Sequence, residues 1–81
     1  MTCWVYVLRD RNGRHYTGIT NHLARRIREH DAGRTPADRG RGPFELVHNE
    51  ACADPLAARG REKYLKSGTG RRWLKRRLAR P

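Results

Sequence analysis

The sequence predicts an α+β domain with a small antiparallel sheet, its elements running in the order β-β-α-β-α-α. Three observations lead there. Two β-branched and aromatic runs flank a turn signal near the N-terminus, a third short apolar run lies mid-chain, and helix start and stop signals bound three other segments. With 81 residues, 36% hydrophobic and 33% charged, the chain reads as one domain, residues 1–81, built on one thin core.

Residues 3–9 form the first strand, Asp10-Arg11-Asn12-Gly13 the turn, and His15-Tyr16-Thr17-Gly18-Ile19 the second strand. Two loops fit this hairpin, and their registers differ by one residue. A two-residue Asn12-Gly13 turn sets Arg9 against Tyr16 and sends Tyr6 and Tyr16 to opposite faces. A three-residue Arg11-Asn12-Gly13 loop, with Gly13 left-handed, sets Leu8 against Tyr16 and Gly18 against Tyr6, so both rings share a face. Asp10 suits the first position of a type I turn, and the longer loop avoids pairing Arg11 with Arg14. We therefore expect the three-residue loop.

Thr20 or Asn21 caps a helix expected to run to about Ala32, where Gly33 stops it. Leu23, Ile27 and His30 form its apolar stripe. Arg25 points away, and Arg26 lies on the border of the buried face. Residues 34–43 lack periodicity and read as a basic loop. Phe44–His48 is the third strand. Asp54 followed by Pro55 opens a second helix to about Lys66, which Ser67-Gly68-Thr69-Gly70 breaks. Residues 71–80 form a last amphipathic segment that buries Trp73, Leu74 and Leu78.

Charge narrows the function. Nineteen Lys and Arg against eight Asp and Glu leave +11, and residues 59–81 alone hold ten basic side chains and one acid, Glu62. So large an excess on so small a domain attracts polyanions, and nucleic acid is the expected partner. Arg25, Arg39, Arg41, Lys66, Arg71, Arg72 and Lys75 are the expected backbone contacts. No run approaches the ~18 apolar residues of a membrane span, and the N-terminus has neither a basic leader nor a small-residue cleavage site, so a cytoplasmic protein is expected. Cys3 and Cys52 show no metal-ligand or C-x-x-C spacing and are expected to be reduced thiols.

Trp4-Val5-Tyr6, Tyr16-Thr17-Gly18, Leu23-x-x-Arg26, His30 and Arg61-Glu62-Lys63-Tyr64-Leu65-Lys66 resemble, in order and spacing, the motifs of the GIY-YIG endonuclease family, most of all its short bacterial members. The resemblance covers nearly the whole chain. It implies a three-stranded antiparallel sheet flanked by helices and hydrolysis of a nucleic-acid phosphodiester with one divalent ion, Mg²⁺ or Mn²⁺. Tyr6 and Tyr16 match the paired tyrosines, Gly18 the glycine, Arg26 the helix arginine, His30 the position one turn later, and Glu62 the metal ligand. Trp4, Val5, Thr17 and Ile19 depart from the usual residues, and no Asn follows Asn49 where many members carry a late one.

These residue types suit the chemistry. Phosphodiester hydrolysis needs a base for the attacking water and positive charge for the developing oxyanion. A phenol, ordinarily ionising near ~10, serves as base when positive charge lies beside it, and either Tyr6 or Tyr16 fits. Arg26 offers a planar fork to phosphate, and one carboxylate plus waters and phosphate suffices for Mg²⁺ or Mn²⁺. The plainer roles are a tyrosine core pair, an Arg26 ion pair with Glu29 or Glu62, and a Glu62–Lys66 helix pair. A binding module that no longer cleaves is the alternative function, and a basic ribosome-associated protein a third. DNA is favoured over RNA. Specificity is expected to come from recognition of DNA shape or ends, or from a partner protein.

Overall fold

The computed structural model describes residues 2–33 and 40–79. They form β1 (Cys3–Arg9), β2 (His15–Thr20), α1 (Leu23–Asp31), β3 (Glu45–Cys52), α2 (Pro55–Lys66) and α3 (Gly68–Leu78). The sheet is antiparallel throughout, in the order β2-β1-β3. Among the described residues no helix is long and apolar enough to cross a membrane.

The hairpin closes on the three-residue loop. Asp10 and Arg14 are joined by an N–H···O bond of 2.9 Å, Gly13 N–H donates to the Asp10 carbonyl at 3.0 Å, and Gly13 has φ +83°. Leu8 therefore faces Tyr16 and Tyr6 faces Gly18, as the turn chemistry predicts.

The apolar side chains fall into two clusters, one on each face of the sheet, rather than one core. Alternation along β1 sends Cys3, Val5 and Val7 to one face, where Ala58 and Leu65 of α2 and Leu74 of α3 cover them. Tyr6 and Leu8 go to the other, against Phe44, Leu23 and Ile27. Val5, Val7, Leu8, Ala58 and Leu65 are essentially sealed from solvent. With α1 on one side and α2 and α3 on the other, the sheet is the middle of three layers, which is how so short a chain buries both faces of β1.

Four boundaries differ from expectation for local reasons. The α1 cap is His22, whose Nδ1 accepts from Arg25 N–H at 3.3 Å; Thr20 instead uses its hydroxyl to accept from His22 N–H. The strand β3 starts one residue later and runs four further, to Cys52, which faces Cys3. It also carries a bulge: Leu8 pairs with Leu46 and Val7 with His48, which leaves Val47 over. Finally, Ser67 alone separates α2 from α3, since its hydroxyl donates to the Tyr64 carbonyl at 2.6 Å and accepts from Gly70 N–H at 3.1 Å. The 68–70 stretch read as a breaker is the first turn of α3. Asp54 caps α2 as expected.

Two glycines test this packing in opposite directions. A Cβ on Gly70 would lie 1.9 Å from the Tyr64 carbonyl oxygen, whereas one on Gly60, within α2, would meet nothing within 4 Å. In urea denaturation, Gly70→Ala should lose about 3 kcal/mol or more through overpacking, while Gly60→Ala should gain about 0.5–1 kcal/mol from its helix propensity.

Candidate active site

The α1 face of the sheet gathers four of the five proposed catalytic side chains. Tyr6 is buried because its ring lies over Gly18: a Cβ there would stand 2.5 Å from the Tyr6 Oη and 2.7 Å from its Cζ. Only a residue without a side chain leaves that space. The Tyr6 hydroxyl lies 3.0 Å from Nε2 of His30, the buried last member of the α1 stripe. One turn earlier, Arg26 is half-buried, as its angular position requires, and bonds Glu29 at 3.2 Å. Hydrogen bonding to Tyr6, reinforced by Glu29, holds the Arg26 guanidinium in its charged form, above the ordinary arginine value, against the opposing cost of burial. Phe44 links the two tyrosines, meeting His30 edge-on at 5.5 Å between ring centroids and Tyr16 at 5.8 Å. Its backbone N–H donates to Asp31, which ties the end of α1 to the start of β3.

Tyr16 has its own setting. Its hydroxyl donates to Asp10 Oδ2 at 3.3 Å, and Arg41 donates to the same phenol oxygen from a position near the ring face. Beside them, along the free edge of β2, is a hollow of about 880 Å³ lined by Arg14, Arg41, Lys66, Arg71 and Lys75, with His15 and Tyr16. No carboxylate is among its described lining residues. By its sequence Asp10 is a turn residue, and Arg14 and His15 are not among the expected site residues. The signal for Asp10 is the three-residue register, which makes it a diagonal neighbour of Tyr16 on one face.

Glu62 is carried on α2, the helix that packs on the other face of the sheet, and its carboxylate pairs with Lys66 at 3.3 Å. Lys66 in turn lines the hollow beside Tyr16. Among the described residues no three His, Cys, Asp or Glu side chains are grouped to hold a metal ion, so a metal here would rest on Glu62 with waters and substrate phosphate. A half-buried, hard oxygen donor whose partner Lys66 lines the hollow fits that demand.

Of the expected backbone contacts, Arg41, Lys66, Arg71 and Lys75 converge on the hollow. Arg25 and Arg72 are exposed on α1 and α3, and Arg39 lies outside the described residues.

The model of the GIY-YIG catalytic domain matches residues 2–77. The chain belongs to the GIY-YIG family. GIY-YIG proteins are nucleases that act on nucleic acid and generally use divalent metals. Similar GIY-YIG relatives include a UPF0213 protein of Natronomonas pharaonis, 46% identical over 65 residues, which span 79% of this chain and 76% of the relative. Another, from Clostridium perfringens, is 40% identical over 67 residues, 82% and 72% of the two chains. Among solved structures, the solution NMR structure of a UPF0213 protein from Bacillus halodurans is similar over 100% of this chain and 89% of that one, with a TM-score of 0.62 and 34% identity.

A second cluster braces the layer that carries Glu62. Arg61 donates to both oxygens of Glu50, at 2.9 and 3.0 Å, and its guanidinium lies 4.8 Å from the ring centroids of both Tyr64 and Trp73. His48 adds a 2.7 Å contact to Glu50 and an edge contact to Trp73. Burial alone would push the Glu50 carboxyl up, but the bonds to His48 and Arg61 outweigh it and hold it below the ordinary glutamate value of 4.5. A carboxyl depressed on folding stabilises the protein above its unfolded value, and that stabilisation is lost as pH falls through the folded one. Thermal melts should therefore show Glu50→Gln narrowing its deficit against wild type as pH drops below about 4.5.

Proposed function

We propose that this protein is a metal-dependent endonuclease that hydrolyses DNA phosphodiester bonds, with Tyr6 rather than Tyr16 as the base. The observation that carries this reading is the Tyr6–His30–Arg26 cluster: a buried phenol with a fixed cation on one side and an imidazole nitrogen at 3.0 Å on the other. The guanidinium favours the phenolate, and the imidazole can take the phenol's proton as the phenol takes one from water. The water oxygen then forms the new bond to phosphorus while the bond to the leaving oxygen breaks. Arg26 faces the developing charge with the fork that suits a phosphate. Glu62 would hold the Mg²⁺ or Mn²⁺, whose positive charge would offset the negative charge accumulating on the phosphate oxygens.

The basic hollow supports DNA as the ligand, since its cations come from the hairpin, the segment before β3, α2 and α3 and face one space. Contacts to phosphates position a duplex or strand without reading its bases. The sequence-based alternative, a module on the same scaffold that binds without turnover, rests on the absence of an Asn after Asn49 and of a Lys after Gly18, where Ile19 stands.

Cleavage of plasmid and branched DNA with Mg²⁺ or Mn²⁺ separates the two. The enzyme reading expects Tyr6→Phe to lose about 100-fold or more in rate and Glu62→Ala to abolish cutting while still binding DNA. Equal cutting by wild type and Glu62→Ala, or none by wild type under either metal, overturns it. Binding itself should weaken linearly with log salt, and Arg71→Ala or Lys75→Ala should each flatten that slope by about one.

A further inference from the structure

Asp10 does more than its turn requires. A turn of this kind needs one side-chain oxygen, which Asn, Ser or Thr also supplies, and it ordinarily lies in solvent. Asp10 meets that need with Oδ1 alone, which accepts from Asn12 N–H at 2.8 Å and Arg14 N–H at 2.9 Å. Yet it is only 4% exposed, one of two buried polar side chains among the described residues together with His30. Its second oxygen is given to the Tyr16 hydroxyl. Arg41, which approaches that hydroxyl from the hollow, is itself pinned to the turn, its carbonyl accepting from Arg11 N–H at 3.1 Å. Burial alone would raise the Asp10 carboxyl; the Arg14 and Asn12 amides, the Tyr16 hydroxyl and the Arg41 charge outweigh it and keep it ionised below the ordinary aspartate value.

We infer that Asp10 is a positioning residue for the cleavage reaction: it commits the Tyr16 hydroxyl as a hydrogen-bond donor and turns its oxygen toward Arg41, which lines the basic hollow. A phenol whose proton is held by a carboxylate is not offered to an attacking water. The two tyrosines thus divide the work, Tyr6 with the imidazole and guanidinium, Tyr16 with the carboxylate and the substrate-facing arginine. For its kinetic part the inference rests on the nuclease reading; for the contact itself it does not.

Asp10→Asn is the informative variant, because its carbonyl can still accept at the turn while its amide cannot accept from Tyr16. We expect kcat to fall about tenfold at unchanged KM, the loss of one hydrogen bond to a charged group. In a Tyr16→Phe background the same substitution should change kcat by less than about twofold, a non-additivity that damage to the turn would not produce. Independently of cleavage, proton NMR should show a slowly exchanging Tyr16 hydroxyl in wild type that disappears in Asp10→Asn, with the Asn12 and Arg14 amide signals retained. Should Asp10→Asn not fold, Asp10→Ser takes its place. Equal losses of kcat in both backgrounds, or a hydroxyl signal that persists in the variant, overturn the inference. If wild type cuts no DNA, the nuclease reading fails and the hydroxyl signal alone decides whether Asp10 holds Tyr16.

Discussion

The turn between β1 and β2 closes on three residues, and side chains alternate strictly along a strand, so that closure decides which face of the sheet each residue joins. With Asp10 opposite Arg14, Tyr6 and Tyr16 both face α1, Gly18 lies beneath the Tyr6 ring, and Val5 and Val7 face α2 and α3. A two-residue closure would have placed the phenols on opposite sides. Gly13, left-handed at φ +83°, and Asp10, which accepts both turn amides, make the longer loop the cheaper one. The arrangement of the α1 face is thus inherited from the conformation of a surface turn.

The charge of the chain is apportioned rather than spread. Glu29, Glu45 and Glu50 each neutralise an arginine, Arg26, Arg9 and Arg61 respectively, and Lys66 meets Glu62. The arginines so paired serve packing as much as charge: the Arg61 guanidinium lies within cation–π range of both Tyr64 and Trp73, where its delocalised cation gains from both rings. The cations left along the β2 edge and on α3 face solvent, and their field is what a polyanion would meet first.

Most of the architecture was legible in the sequence because its signals are local. The hairpin register follows from Asp10 and Gly13, the start of α2 from Asp54-Pro55, and the half-buried place of Arg26 from its angle to Leu23. What sequence reasoning missed depends on contacts between distant segments. His22 as a cap was obscured by two better capping residues before it. The extension of β3 through Asn49 and Glu50 is imposed by pairing with β1 and not by strand propensity. The glycines of 68–70 read as a break because nothing local tells that Gly70 admits the Tyr64 carbonyl. For the site, Tyr6, Tyr16, Arg26 and His30 share a face as expected, whereas Glu62 belongs to another layer and Asp10 passed for a turn residue.

The surplus residue in β3 has a quieter effect. Leu46 contributes to the cluster beneath α1, and Val47 packs with the opposite cluster, where His48 also meets Trp73. Two neighbours therefore lean the same way, and the strand changes phase midway. Shortening it by one residue would leave either half intact but set the two out of step, so that Leu46 and the Glu50 brace could not both be seated. The length of this strand is consequently fixed more tightly than its composition.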